Sequence, residues 1–271
     1  MNLKKEFIGS EPRLSIKYLG IGDLVILLHG IGGNKDNWDK NIVEVSKYFK
    51  VVSCDIRGYG ESEDFDGPMN FNDVADDIVK IINHFEVDDA HIVGLSMGAQ
   101  ISTIFFQKYP NRVKSLTLCD APEGFETFSE AERMQFIRLR RKPIEEGVPL
   151  HKMARVIADT LIGNKANYWA YAQLINSMKK IHRKTYLKAI EAFIHTDHSY
   201  IFPSINIPTL VIVGELDRLT TVQSAKNIAN SISGSHLNVV PGAGHLSNIE
   251  NFIYFNRVLI AFLRSIESCK S

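Results

Sequence analysis

The five residues Gly94-Leu95-Ser96-Met97-Gly98, set between the apolar run His91-Ile92-Val93 and a helix-prone stretch at 99–108, constrain this chain more than any other feature. A Gly-x-Ser-x-Gly run at that junction reverses a strand sharply into a helix. The two glycines let strand and helix pack closely, and the serine between them is pushed out with its hydroxyl exposed. Gly and Ser are common in turns, so the pentapeptide alone is only moderately specific. Its weight comes from two partners further along the chain.

Two strand-like runs downstream end in residues that complete a proton-transfer chain. Asp217 follows Thr209-Leu210-Val211-Ile212-Val213-Gly214, and His245 follows Val239-Val240-Pro241-Gly242-Ala243-Gly244. Serine is a weak nucleophile, imidazole removes its proton near neutral pH, and a carboxylate fixes the imidazole tautomer and stabilises the imidazolium. Each of the three lies at the carboxyl end of a predicted strand, where open α/β sheets place their ligand crevice. Taken singly, Asp217 is a turn acid and His245 a loop histidine; their joint placement favours a triad. Asp120, ending the strand-like run 115–119, is a rival acid, and Asp217 is preferred. A site for a developing oxyanion is expected where the apolar run 24–28 ends in His29-Gly30-Ile31-Gly32-Gly33. The Ile31 N–H and the Met97 N–H are the expected donors. These glycines do not make a nucleotide loop: the Walker spacing is missing, and Lys35 stands where Gly-x-Gly-x-x-Gly needs its third glycine.

With Asp55-Ile56-Arg57-Gly58-Tyr59-Gly60-Glu61-Ser62 and Gly214-Glu215-Leu216-Asp217 added to the runs above, the chain resembles the α/β-hydrolase superfamily over nearly its whole length outside a middle insertion. The order serine, acid, histidine is that of the superfamily. Tyr109-Pro110-Asn111-Arg112-Val113 and His245-Leu246-Ser247-Asn248-Ile249-Glu250 look most like its 3-oxoadipate enol-lactonase and small carboxylesterase branch. The resemblance implies cleavage of a small carboxylic ester or lactone through an acyl-enzyme, with Ser96, Asp217 and His245 catalytic, Ile31 and Met97 forming the oxyanion hole, and no cofactor. The same scaffold serves carbon–carbon bond hydrolases, lyases, cofactor-free perhydrolases and slow-turnover ligand receptors. In the carbon–carbon bond hydrolases a Trp is expected after the catalytic histidine; here Leu246 follows. The 55–62 block itself reads as a turn locked by its own side chains rather than as a catalytic cluster.

Short apolar runs alternating with helical patterns predict the α/β-hydrolase fold, a mostly parallel central sheet with helices on both faces. Strands are expected at 13–19, 24–28, 50–54, 90–95, 115–120, 208–214 and 236–240, and helices at 37–48, 72–86, 97–108, 222–232 and 249–267. The stretch 122–202 breaks the alternation. It reads as helices at 129–141, 150–161, 165–178 and 183–194, separated by Pro143, Gly147, Pro149 and Gly163. Residues 1–121 and 203–271 would form the core and 122–202 a cap inserted between strands, excluding water and selecting substrate. Trp38, Phe125, Trp169 and Leu246 are candidate pocket walls. Of the basic residues Arg133, Arg138, Arg140, Arg141 and Lys142, one is a candidate to meet a substrate carboxylate, the rest forming a solvated face.

Composition excludes other classes. Among 271 residues, 31 basic and 31 acidic side chains balance, which gives no electrostatic reason for a nucleic-acid or membrane partner. The three widely spaced cysteines, Cys54, Cys119 and Cys269, read as reduced thiols rather than a disulfide framework. His195-Thr196-Asp197-His198 lacks the upstream histidine of a metal signature, having Phe193 there, and His84 lies near the end of an amphipathic helix, so no metal is expected. No signal-peptide core or membrane-length run is seen, which leaves the cytoplasm as the default location. A small-molecule substrate is the expected partner, for a monomer or homodimer.

Overall fold

Strands β3 (Leu24–Leu28), β5 (Ala90–Leu95) and β7 (Thr209–Gly214) are buried at every residue, so both faces of the sheet at its centre must be covered. The computed structural model describes residues 3–268 apart from Thr127 and Ala166, with only the backbone of Leu150, His151 and Ser268, and places these strands in one eight-stranded sheet. The others are β1 (Lys4–Ile8), β2 (Leu14–Leu19), β4 (Lys50–Cys54), β6 (Val113–Cys119) and β8 (His236–Val240). In space the order is β1-β2-β4-β3-β5-β6-β7-β8. The β1–β2 and β2–β4 pairings are antiparallel, and every pairing from β4 through β8 is parallel.

Parallel neighbours need crossovers, and helices supply them. The core helices are α1 (Asp39–Val45), α2 (Phe71–His84) and α3 (Met97–Lys108). On α2, Phe71, Val74, Ala75, Ile78, Ile81 and Ile82 recur at helical spacing and are all buried. Each such isoleucine contributes about 1.5–3 kcal/mol relative to exposure. Between β6 and β7 come α4 (Glu130–Glu145), α5 (Leu150–Leu161), α6 (Tyr168–Lys179) and α7 (Arg183–His195), with α4 packed on α7 and α5 on α6. The chain ends with α8 (Val222–Ser231), the single turn α9 (Ser247–Glu250) and α10 (Phe252–Ser268), the last packed against α1 and β8.

Three elements depart from the sequence expectation. Strand β1 was not anticipated, because its Lys4, Lys5 and half-buried Glu6 lie on the edge of the sheet and show no apolar alternation. The helix expected at 249–267 breaks at Asn251, whose φ of −134° and ψ of 59° separate α9 from α10. Pro143 was expected to end α4, but the helix runs two residues further: close to the C-terminus, the proline forfeits only the bond its absent N–H would have made. Cys54 and Cys119 are free and buried, and burial pushes both thiols above their ordinary range; Cys269 lies outside the described residues. Among the described residues no helix is long and apolar enough to cross a membrane.

Candidate active site

Strand β5 ends at Leu95 and α3 begins at Met97, so Ser96 alone makes the reversal. Its backbone lies at φ 54° and ψ −113°. L residues avoid that region at a cost on the order of 1–3 kcal/mol. Close packing on both sides holds it there: a Cβ at Gly94 would collide with the Gly98 carbonyl, and one at Gly98 with the Leu28 carbonyl at the end of β3. The Ser96 N–H donates to the Cys119 carbonyl of β6 at 2.9 Å.

The Ser96 Oγ lies 3.0 Å from His245 Nε2, and His245 Nδ1 lies 2.8 Å from Asp217 Oδ2. Asp217, in the turn after β7, is fixed by its surroundings. Its Oδ1 accepts the N–H groups of Leu219 (2.8 Å) and Thr220 (3.0 Å), and its Oδ2 accepts the Thr220 hydroxyl (2.6 Å). An acceptor-only carboxylate at Nδ1 sets that nitrogen as the donor and leaves Nε2 to accept from serine. Burial works against the charge on Asp217, yet His245 and these donors outweigh it and hold the carboxyl below its ordinary range. Burial also works against the imidazolium, and Asp217, helped by Asp120 and Glu250, lifts His245 above its ordinary value.

The rival acid points elsewhere. Asp120 is fully buried at the end of β6 with φ 45°. Its Oδ1 accepts the Gly214 N–H (2.9 Å), and its Oδ2 accepts both the N–H (3.0 Å) and the hydroxyl (2.7 Å) of Ser247. It thus clamps the end of β7 to the segment after His245. Burial, reinforced by repulsion from Asp217, pushes its carboxyl up to about 7.

The glycine loop after β3 is held by a neutral histidine and a buried ion pair. His29 Nδ1 donates to the Gly30 carbonyl (2.9 Å) and Nε2 accepts from the Ile56 N–H (3.2 Å); burial pushes this ring's proton affinity down. Lys35 Nζ lies 2.5 Å from both Asp55 and Glu61, and Asp55 also accepts the N–H groups of Lys35 and Glu61. The 55–62 block is therefore a lock on this loop. Ile31 lines the same cavity as Ser96, and Met97 opens α3, where a helical N–H has no intrahelical acceptor.

That cavity measures about 890 Å³, the size of a small-molecule site. Ser96, His245 and Ile31 line it from the core, and α4 and α5 wall it from the other side. Trp38 and Leu246 line it, the Trp38 Nε1 being buried without a hydrogen-bond partner among the described residues. Phe125 and Trp169 do not. Phe125 packs instead on Phe193 and Phe136, with ring centroids 4.9 and 6.4 Å away, while Trp169 is 38% exposed and tilts over Phe252. Their rings pack on α4, α7 and α10 instead.

Sequence reasoning missed the residues that act through others. Thr220 is one; its spacing of three from Asp217 is that of a side chain closing a turn. Glu250 is the second. Its Oε1 accepts the Gly244 N–H (3.0 Å) and its Oε2 the Gly163 N–H (2.9 Å), while the His245 N–H donates to the Leu161 carbonyl (2.7 Å). These bonds tie the histidine loop to the end of α5.

A sequence profile of the alpha/beta hydrolase fold family matches residues 23–252. The chain belongs to that family. The 2-hydroxy-6-oxononadienedioate/2-hydroxy-6-oxononatrienedioate hydrolase of Escherichia coli (strain K12) is 27% identical over 274 aligned positions, covering 96% of this chain and 94% of its own. Among solved structures, a malate-bound thermophilic esterase from Thermogutta terrifontis matches with a TM-score of 0.89 at 24% identity, covering 97% of this chain and 99% of its own. The enol-lactonase from Burkholderia xenovorans LB400 matches with a TM-score of 0.83 at 22% identity, over 96% and 100%. The two structures share the fold of this chain.

Proposed function

We propose that this protein is a serine hydrolase that cleaves a small carboxylic ester or lactone through an acyl-enzyme. One observation carries the reading: a continuous hydrogen-bonded line from Ser96 Oγ through both nitrogens of His245 to Asp217, with the hydroxyl facing a mainly apolar cavity. Ser96 attacks the carbonyl carbon while His245 Nε2 takes its proton, and Asp217 stabilises the imidazolium. The Ile31 and Met97 N–H groups receive the oxyanion. His245 then returns the proton to the departing alkoxide, and a water, deprotonated by the same nitrogen, releases the acid. The chemistry calls for no cofactor. The Escherichia coli relative supports a second reading, hydrolysis of a 2-hydroxy-6-oxo-dienedioate, but Leu246 on the cavity wall next to His245 favours the ester.

Multiple turnover of 4-nitrophenyl butyrate tests the proposal. Ser96→Ala should abolish it, and a fluorophosphonate should label Ser96 in the active protein. An unchanged rate in that variant, or an adduct at another residue, would reject the mechanism. A preparation inert towards esters and lactones yet active on the dienedioate would establish the second reading instead.

A further inference from the structure

The glycine loop after β3 is held from two sides by different parts of the molecule. From the core, the buried Lys35–Asp55 pair fixes its far end. Its middle is a tight turn: the Gly33 N–H donates to the Gly30 carbonyl at 3.0 Å, with Ile31 and Gly32 between them and Gly32 in the left-handed region at φ 82°. That turn sets the direction of the Ile31 N–H, and it meets the last turn of α6. A Cβ on Gly32 would lie 2.9 Å from Met178 Sδ, so the buried methionine packs directly against the glycine backbone. One residue earlier, Ser177 is buried too, and its Oγ accepts the Asn37 side-chain N–H at 2.8 Å while donating to the Gln173 carbonyl at 3.0 Å. Asn37 passes the contact on, because its Oδ1 accepts the Asn34 N–H at 2.8 Å, immediately after the turn. Only one placement of that amide satisfies both neighbours, a backbone donor on one side and a hydroxyl whose proton is committed to the helix on the other. Lys180 also reaches Asp36 at 2.6 Å, but that lysine is half exposed, and an exposed pair contributes little. The buried contacts of Ser177 and Met178 are therefore the ones that brace the loop.

We propose that Ser177 and Met178 are positioning residues: α6 holds the glycine loop at the angle that lets the Ile31 N–H meet a developing oxyanion, and carbonyl activation is complete only while α6 is seated on the loop. The catalytic part rests on the ester-hydrolase reading; the brace itself does not. A group misplaced by about 1 Å costs on the order of 10²-fold in rate, so even partial loosening is visible in turnover.

Ser177→Ala is the cleaner probe, since Met178 lines the cavity and Ser177 does not. A donor to the oxyanion acts in the transition state alone, so on 4-nitrophenyl butyrate this variant should lose about tenfold in kcat and in kcat/KM together. The pH–rate limb should keep its midpoint, because His245 and Asp217 are untouched. Ser177→Thr, which keeps the acceptor oxygen, should retain most of the wild-type rate. An unchanged kcat in Ser177→Ala, a loss carried by KM alone, or a displaced limb would overturn the positioning role. Hydrogen exchange decides the matter if no ester is turned over. Backbone amides at 31–37 should exchange about tenfold faster in Ser177→Ala and in Met178→Ala than in wild type, while those of α3 keep their protection and show each variant to be folded. Equal exchange at 31–37 would overturn the brace, whereas faster exchange in a protein inert towards esters would sink only the ester chemistry.

Discussion

At the residue scale, the behaviour of the site depends on how firmly His245 holds its proton. In the proposed mechanism the imidazole must be neutral to accept the serine proton, and Asp217 raises its proton affinity above the ordinary histidine value of 6.5. The sign is therefore fixed: kcat/KM should climb with pH along a limb whose midpoint lies above 6.5. Asp217→Asn removes the counter-charge and reverses the preferred tautomer. It should cost on the order of 10⁴ in rate, as the equivalent change does in a protease triad, and move the limb to lower pH. A pH–rate profile of both proteins checks this, and an unmoved limb would mean that another group sets the histidine. Ser96, Asp217 and His245 were legible in the sequence because each follows its own strand-like run and the three types make sense only together. Thr220, Glu250 and the Asp120–Ser247 clamp were not, because each acts through contacts that exist only once loops distant in sequence are brought side by side.

At the scale of elements, the crossing of β5 and α3 over β3 is set by missing side chains. Gly98→Ala would drive a methyl group into the Leu28 carbonyl, and the strand and helix would have to separate. We expect a loss of about 1–3 kcal/mol in urea unfolding together with reduced turnover, since Ser96 moves with the helix. The Asp120 clamp makes a different prediction. Burial and the nearby Asp217 push its carboxyl up to about 7 from the ordinary 3.8, so between those values the folded state keeps a proton that the unfolded chain has released. Stability arising from this group falls as pH rises across that window. Relative to wild type, Asp120→Asn should therefore be most destabilised near pH 4 and recover towards pH 7, which unfolding curves at several pH values would show. The central strands were readable as unbroken apolar runs, whereas β1 carries charge along an exposed edge and the break at Asn251 has no proline or glycine to announce it.

Across the whole molecule, the glycine loop and the β4 turn depend on one buried pair. Lys35→Met would strand the Asp55 carboxylate, which has no exposure to water, without its cation. Breaking such a pair costs about 3–5 kcal/mol, measurable as a lowered urea midpoint, and the proposed oxyanion donation from the same loop should weaken with it. The alternation of strands and helices made the core architecture legible, and the run of helices at 122–202 made the insertion legible. Which side chains of α4–α7 face the cavity was not, because an amphipathic helix looks alike whether its apolar stripe meets a neighbour or a void. The bonds between Leu161 and His245, and between Glu250 and both Gly163 and Gly244, join the end of α5 to the segment that carries the imidazole. That corner is a weld rather than a hinge: lifting α5 there would break these bonds or draw His245 away from Ser96. A chimaera borrowing the helices 122–202 of a relative should therefore keep its turnover only if this seam and the histidine segment are transplanted as one piece.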